Sequence, residues 1–199
     1  MNKLNLAIFA SHSGSNMQSI IDSVNNGSLF ANIVCFITNN SNCFAMERAK
    51  KENIPSYHVS SKTHPDFTDY KDELLRIINY HKADIIILAG YMKLLPTEII
   101  HSVNGKVLNI HPALLPNYRG DGMFGMNVHN AVIKAGEKES GVTIHLVDSE
   151  YDKGKILAQA KCPVFKEDTP SELAKRVLTL EHKLYPETIQ RIVRGELII

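Results

Sequence analysis

The 199 residues suffice for one large domain with a sizeable core, and 44% hydrophobic with 22% charged residues is the balance of an ordinary soluble globular protein. Twenty-two basic side chains meet 21 acidic ones for a net charge of +1, so no field of one sign spans the molecule. Composition therefore offers no case for nucleic acid as a partner, while a small anion held in a local pocket stays open. Cys35, Cys43 and Cys162 form no C-x-x-C pair, which argues against a disulfide framework or a zinc site and for a reducing, cytoplasmic setting. The first ten residues carry one lysine and an apolar run too short to span a membrane, and no signal cleavage pattern follows.

Residues 4–10 predict a buried strand and 11–15 a loop of small residues, followed by a helix over 16–24 with Met17, Ile20, Ile21 and Val24 on one face. A strand over 32–38, a helix over 42–52 and a strand over 54–59 come next. A polar loop (60–66) precedes a helix over 67–81 with Leu74, Leu75, Ile77 and Ile78 apolar. Ile85-Ile86-Ile87-Leu88 is the continuous apolar run of a strand covered on both faces. A helical region over 91–102, interrupted at Pro96, leads to a strand over 106–110. This alternation predicts a parallel, doubly wound α/β sheet with right-handed crossovers.

After Pro112 the character changes. A long Gly-rich loop (117–127) precedes a helix over 128–135. Residues 141–147 alternate and 156–165 form another strand, which suggests an antiparallel extension. A long helical stretch over 171–194, with a break near Pro186, closes the chain. No repeat, low-complexity tract or linker divides it, so 1–199 is one continuous domain, with monomer and homodimer both open.

Three places carry chemistry. Asn109 and His111 stand two apart on an extended segment and point to one side, and Pro112 stops the strand. Two polar groups thus meet at the carboxyl end of a buried strand, where open α/β sheets bind ligands. Ser11-His12-Ser13-Gly14-Ser15-Asn16 joins the first strand to the first helix, whose unpaired amides suit a phosphate. The loop is neither a full dinucleotide fingerprint nor a Walker loop, and on pattern alone it is equally a capped βα turn. Asp152-Lys153-Gly154 reads by itself as a turn.

The run Asn109-Ile110-His111-Pro112 with Leu114-Leu115-Pro116 resembles the Asn-x-His-Pro-Ser/Ala-Leu-Leu-Pro signature of the folate-dependent formyltransferases, and Asp152-x-Gly154 stands where that family has its Asp-x-Gly. Gly14-Ser15-Asn16-Met17-Gln18 is similar to the branch that acts on glycinamide ribonucleotide. The resemblance covers nearly the whole chain. It implies a Rossmann-like formyltransferase fold, and transfer of the formyl group of 10-formyltetrahydrofolate, a co-substrate, to the amine of N1-(5-phosphoribosyl)glycinamide in purine synthesis. No metal is implied. Negative charge develops on the formyl oxygen and protons pass between nitrogens, so the site needs an oxyanion donor and a proton shuttle. Asn109, His111 and Asp152 are the expected catalytic residues, with Asp152 raising the His111 pKa.

By the same resemblance Gly14, Ser15, Asn16 and Glu181 bind the nucleotide. Met92, Lys93, Leu94, Leu95, Asn109, Asp148, Ser149, Glu150, Tyr151 and Asp152 line the folate pocket. The amino-terminal half then binds nucleotide phosphate, and the carboxyl-terminal half binds folate and carries catalysis. Two positions depart from the pattern: His12 replaces an earlier glycine, and Lys155 replaces a proline after the Asp-x-Gly turn. His145 and His129 each read either as core histidines or as groups behind the site. Relatives acting on amino sugars or methionyl-tRNA carry a further carboxyl-terminal domain, and formyl hydrolases an amino-terminal one, neither of which is expected here. A non-catalytic nucleotide-binding module and a nicotinamide-dependent oxidoreductase are the readings from other classes. Asn109, His111 and Asp152 together speak against the first, and the incomplete fingerprint against the second.

Overall fold

The computed structural model describes residues 3–148 and 152–199. A seven-stranded sheet forms the frame, built from β1 (Leu4–Phe9), β2 (Ala31–Thr38), β3 (Ser56–His58), β4 (Ile85–Leu88), β5 (Val107–His111), β6 (Glu139–Leu146) and β7 (Ile156–Pro163). Its order is β3-β2-β1-β4-β5-β6-β7, with the first five strands parallel and β6 and β7 antiparallel. The doubly wound sheet and its antiparallel extension are thus as the sequence predicts.

Alternation along the strands divides the core in two. Leu6 and Ile8 of β1 pack with Met17 and Ile20 of α1 (Ser15–Asn25), Ala45 of α2 (Phe44–Lys51) and Val177 and Tyr185 of α6 (Pro170–Val193). Ala7 and Phe9 face the other way, toward Leu74 and Ile77 of α3 (Phe67–Tyr80) and Ile99 of α4 (Thr97–Ser102). Helix α3 starts where Asp66 accepts from the Thr68 and Asp69 amides. Helix α6 starts on a capping box between Thr169 and Glu172.

Three local expectations change. Helix α4 begins only at Thr97, because the preceding segment is drawn toward the loop after β1, where the Met92 N–H donates to Ser11 Oγ at 2.9 Å. Helix α6 runs through Pro186 for 24 residues without ending. The turn at Pro186 is pinned by its neighbour Tyr185, fully buried, whose hydroxyl donates to the Leu88 and Leu108 carbonyls at 3.1 and 3.0 Å. Strand β6 is buried on both faces rather than one. Helix α6 packs on it, and the 113–115 segment is tied to it through Thr143 Oγ1, which donates to the Ala113 carbonyl and accepts from the Leu115 N–H. Among the described residues no helix is long and apolar enough to cross a membrane.

Candidate active site

The parallel strands fan out in opposite directions from β1 and β4, which makes the gap between their carboxyl ends the topological switch point. A cavity of about 750 Å³ opens there, large enough for two small substrates. Its walls come from the loops after β1, β4 and β5, from the 120–126 segment, from Asp152, and from one face of α6.

The loop after β1 contributes His12, Ser13, Gly14, Ser15 and Asn16. Gly14 has φ 67°, and a Cβ there would lie 2.6 Å from Ala45 Cβ, so only glycine lets α1 start this close to α2. It caps α1 without a side-chain bond, which leaves the first helical amides to solvent or a ligand. Arg48 Nε donates to the Ser13 carbonyl at 2.9 Å and braces the turn. Asn16 is buried; its Nδ2 donates to Glu181 Oε2 at 2.6 Å, while its Oδ1 is sealed from water with no partner among the described residues. Burial raises the Glu181 pKa above the usual carboxylate value, against the pull of the Asn16 bond.

Asn109, His111 and Asp152 converge. Asp152 Oδ2 lies 3.6 Å from His111 Nδ1, and Asp152 Oδ1 lies 3.5 Å from Asn109 Nδ2. His145, Cα partner of Asn109 across β5 and β6, joins them, with Nε2 3.4 Å from Asp152 Oδ1 and 3.2 Å from Asn109 Nδ2. Each imidazole has its far nitrogen committed to a carbonyl, His111 Nε2 to Tyr118 at 2.7 Å and His145 Nδ1 to Leu146 at 2.8 Å. A carbonyl only accepts, so those nitrogens carry the hydrogens, and any further proton enters on the side facing Asp152.

The expected rise in the His111 pKa is corrected. Burial pushes it down, and the Asp152 charge and the Tyr118 carbonyl do not make up the difference, so the imidazole rests neutral near pH 7. Burial also pushes the Asp152 pKa up, but the neighbouring His145 and His111 rings and the Gly120 N–H at 3.3 Å together hold it below the usual value. Asp152 sits at φ 54°, a left-handed conformation that Asp tolerates. Gly154 follows because a Cβ there would collide with the Leu146 carbonyl oxygen. Lys155 serves the turn through its own carbonyl, which accepts from the Leu146 N–H at 2.9 Å, a group that any residue supplies.

On the expected folate side, Met92 and Lys93 line the cavity, whereas Leu94 is exposed and Leu95 is buried in the α3/α4 core, both outside its wall. Asp148 is half-buried, also outside the wall, and Ser149, Glu150 and Tyr151 lie outside the described residues. Sequence reasoning left His145 and His129 ambiguous. His145 supports Asp152, as above, and His129 lines the cavity, buried, with Nδ1 unpartnered among the described residues. It missed the Tyr118 carbonyl and the Gly120 amide, backbone groups with no residue-type signature. It also missed the α6 stripe of Ser171, Lys175 and Leu178, readable only from its spacing with Glu181.

Residues 4–189 match the protein family described as formyl transferase. A chloroplastic phosphoribosylglycinamide formyltransferase of Arabidopsis thaliana is 43% identical over 94% of this chain, which spans 64% of that protein's length. The enzyme of the same name from Haemophilus influenzae is 36% identical over 96% of this chain and 88% of its own. The chain spans 62% of a similar protein from Vigna unguiculata, so both plant relatives extend well beyond it. Among solved structures, glycinamide ribonucleotide transformylase 1 from Symbiobacterium toebii superposes with a TM-score of 0.91 at 30% identity, over 99% of this chain and 91% of that one. The phosphoribosylglycinamide formyltransferase from Bacillus halodurans gives 0.88 at 34%, over 96% of each chain. With the match running through both the loop after β1 and the Asn109–His111–Asp152 cluster, the chain belongs to the formyl transferase family.

Proposed function

We propose that this protein transfers the formyl group of 10-formyltetrahydrofolate to the amine of N1-(5-phosphoribosyl)glycinamide, yielding formylglycinamide ribonucleotide for purine synthesis in the cytoplasm. Its partners are these two small molecules, with no nucleic acid, membrane or metal in the reading, and the single domain acts as monomer or homodimer. The observation that carries the reading is that Asn109, His111 and Asp152 meet within one cavity that also holds Gly14, Ser15, Asn16 and Glu181.

The geometry and the family resemblance together support the following roles. The amine attacks the formyl carbon, the new C–N bond forms, the carbonyl oxygen takes negative charge, and the attacking nitrogen becomes cationic. Asn109 Nδ2, which rests between His145 and Asp152, turns an N–H to the oxyanion. Neutral His111 takes the proton at Nδ1, and Asp152 stabilises the resulting imidazolium. The proton then passes to the folate nitrogen as its bond to carbon breaks. Glu181 receives the polar glycinamide end, Gly14, Ser15 and Asn16 with the first amides of α1 the phosphate, and Met92 and Lys93 the folate ring. The test is a formyl-transfer assay on purified protein with glycinamide ribonucleotide, an amino sugar and water as acceptors. Preference for the ribonucleotide is expected; faster release of formate to water would overturn the reading in favour of a hydrolase.

A further inference from the structure

We propose that Lys175 is the side-chain cation that meets the acceptor's phosphate and sets the preference for a phosphorylated acceptor; this rests on the acceptor reading above. Three contacts orient α6. Gln190 Oε1 accepts from the Phe30 N–H at 2.8 Å, at the amino edge of the parallel strands just before β2. Tyr185 bonds the carbonyls of Leu88 and Leu108. Glu181 meets Asn16 at the start of α1. Helix α6 therefore descends from the carboxyl edge of the sheet to the amino edge, alongside α1. Lys175, six residues before Glu181, stands about 9 Å further toward the mouth, on the side to which the first amides of α1 open.

That side is where an anion's charge has to be met. The first amides of α1 open there with no side-chain cap, and they supply only about half a positive charge. Asn16, nine-tenths buried with Oδ1 unpartnered among the described residues, marks the same end of the cavity as built for a polar ligand. The described cavity wall holds two lysines and no arginine. Lys93 follows β4, beside Met92, whereas Lys175 shares the α6 stripe with Ser171, Leu178 and Glu181. Among the described residues Lys175 forms no ion pair. Its acidic neighbour Glu172 is held by Thr169, through the amide at 2.8 Å and the hydroxyl at 2.7 Å. A flexible ammonium beside a set of helix amides completes the charge of a phosphate dianion.

The test is calorimetric binding of ribose 5-phosphate and of ribose to the wild type, Lys175→Met and Lys175→Arg, with kcat/KM for glycinamide ribonucleotide and its dephosphorylated nucleoside. Lys175→Met is expected to weaken ribose 5-phosphate by roughly tenfold or more, as for loss of one charge-assisted bond, and to lower the phosphorylated-to-dephosphorylated kcat/KM ratio similarly. Lys175→Arg should keep most of both. Unchanged ribose 5-phosphate affinity in Lys175→Met, equal losses for the two sugars, or a wild type that does not distinguish them would each overturn the assignment. Phosphate binding that depends on Lys175 in a protein with no formyl transfer would instead overturn the acceptor reading and leave Lys175 in place.

Discussion

Replacing Asp152 by Asn removes one charge and little else. Asn tolerates the left-handed backbone at φ 54° as well as Asp does, and its remaining oxygen still accepts from the Gly120 N–H. The fold should persist, with a melting temperature close to that of the parent. What is lost is the field at His111 Nδ1, 3.6 Å from Asp152 Oδ2. With an effective dielectric of about 20, a unit charge at that separation stabilises an imidazolium by about 4–5 kcal/mol. His111 rests neutral, so on the proposed mechanism this energy is realised only as the ring takes a proton during transfer. At 1.36 kcal/mol per factor of ten, the expected loss in kcat is about three orders of magnitude. Steady-state formyl transfer to glycinamide ribonucleotide, with a thermal melt on the same preparation, is the assay. A folded Asp152→Asn enzyme within tenfold of the parent kcat would refute the role given to the pair.

Other expectations concern stability. His111 and His129 both have their pKa values pushed down by burial, from an unfolded value of about 6.5. Below that value the unfolded chain binds more protons than the folded one, so their contribution is present above it and lost as pH falls through the folded values. Urea denaturation should show stability falling from neutral toward acid pH, and His129→Asn should flatten the slope; an unaltered slope would contradict the buried neutral assignment. Glu181 has the opposite sign, because its raised pKa gives a contribution present at acid pH and lost as pH rises through the folded value. Glu181→Gln should therefore raise stability near neutral pH by about 1 kcal/mol while weakening acceptor binding, measured by scanning calorimetry and KM; a lower melting temperature would count against it. Tyr185→Phe removes a buried hydroxyl shared by two carbonyls and should cost about 1–2 kcal/mol in urea denaturation.

The sheet was legible because its strands read as apolar runs and its helices as periodic faces, and Asn109 with His111 because strand side chains alternate. Spacing alone could not bring Asp152, 41 positions beyond His111, to that strand; only the resemblance pointed there. The sign of the His111 shift was not legible, since it depends on a contest between burial and charge that requires coordinates. Helical periodicity over 91–102 misled because Met92 is held by a hydroxyl from another loop, a contact with no local signature. Pro186 misled because its usual cost is overridden by the packing of the residue before it. Glu181 was singled out by resemblance alone, and its burial follows from the way α6 lies against α1.

Asn109, His111 and His145 all project from neighbouring rungs where β5 meets β6. Their spacing is dictated by ladder pitch, so residues gained or lost in the cavity's long loop beyond Gly120 leave these three in register. A single insertion in β5 before Asn109 would instead rotate both Asn109 and His111 to the opposite surface and take the His111 imidazole out of the cavity. Length variation should consequently be better tolerated between 121 and 125, beyond the Tyr118 and Gly120 contacts, than between 107 and 111.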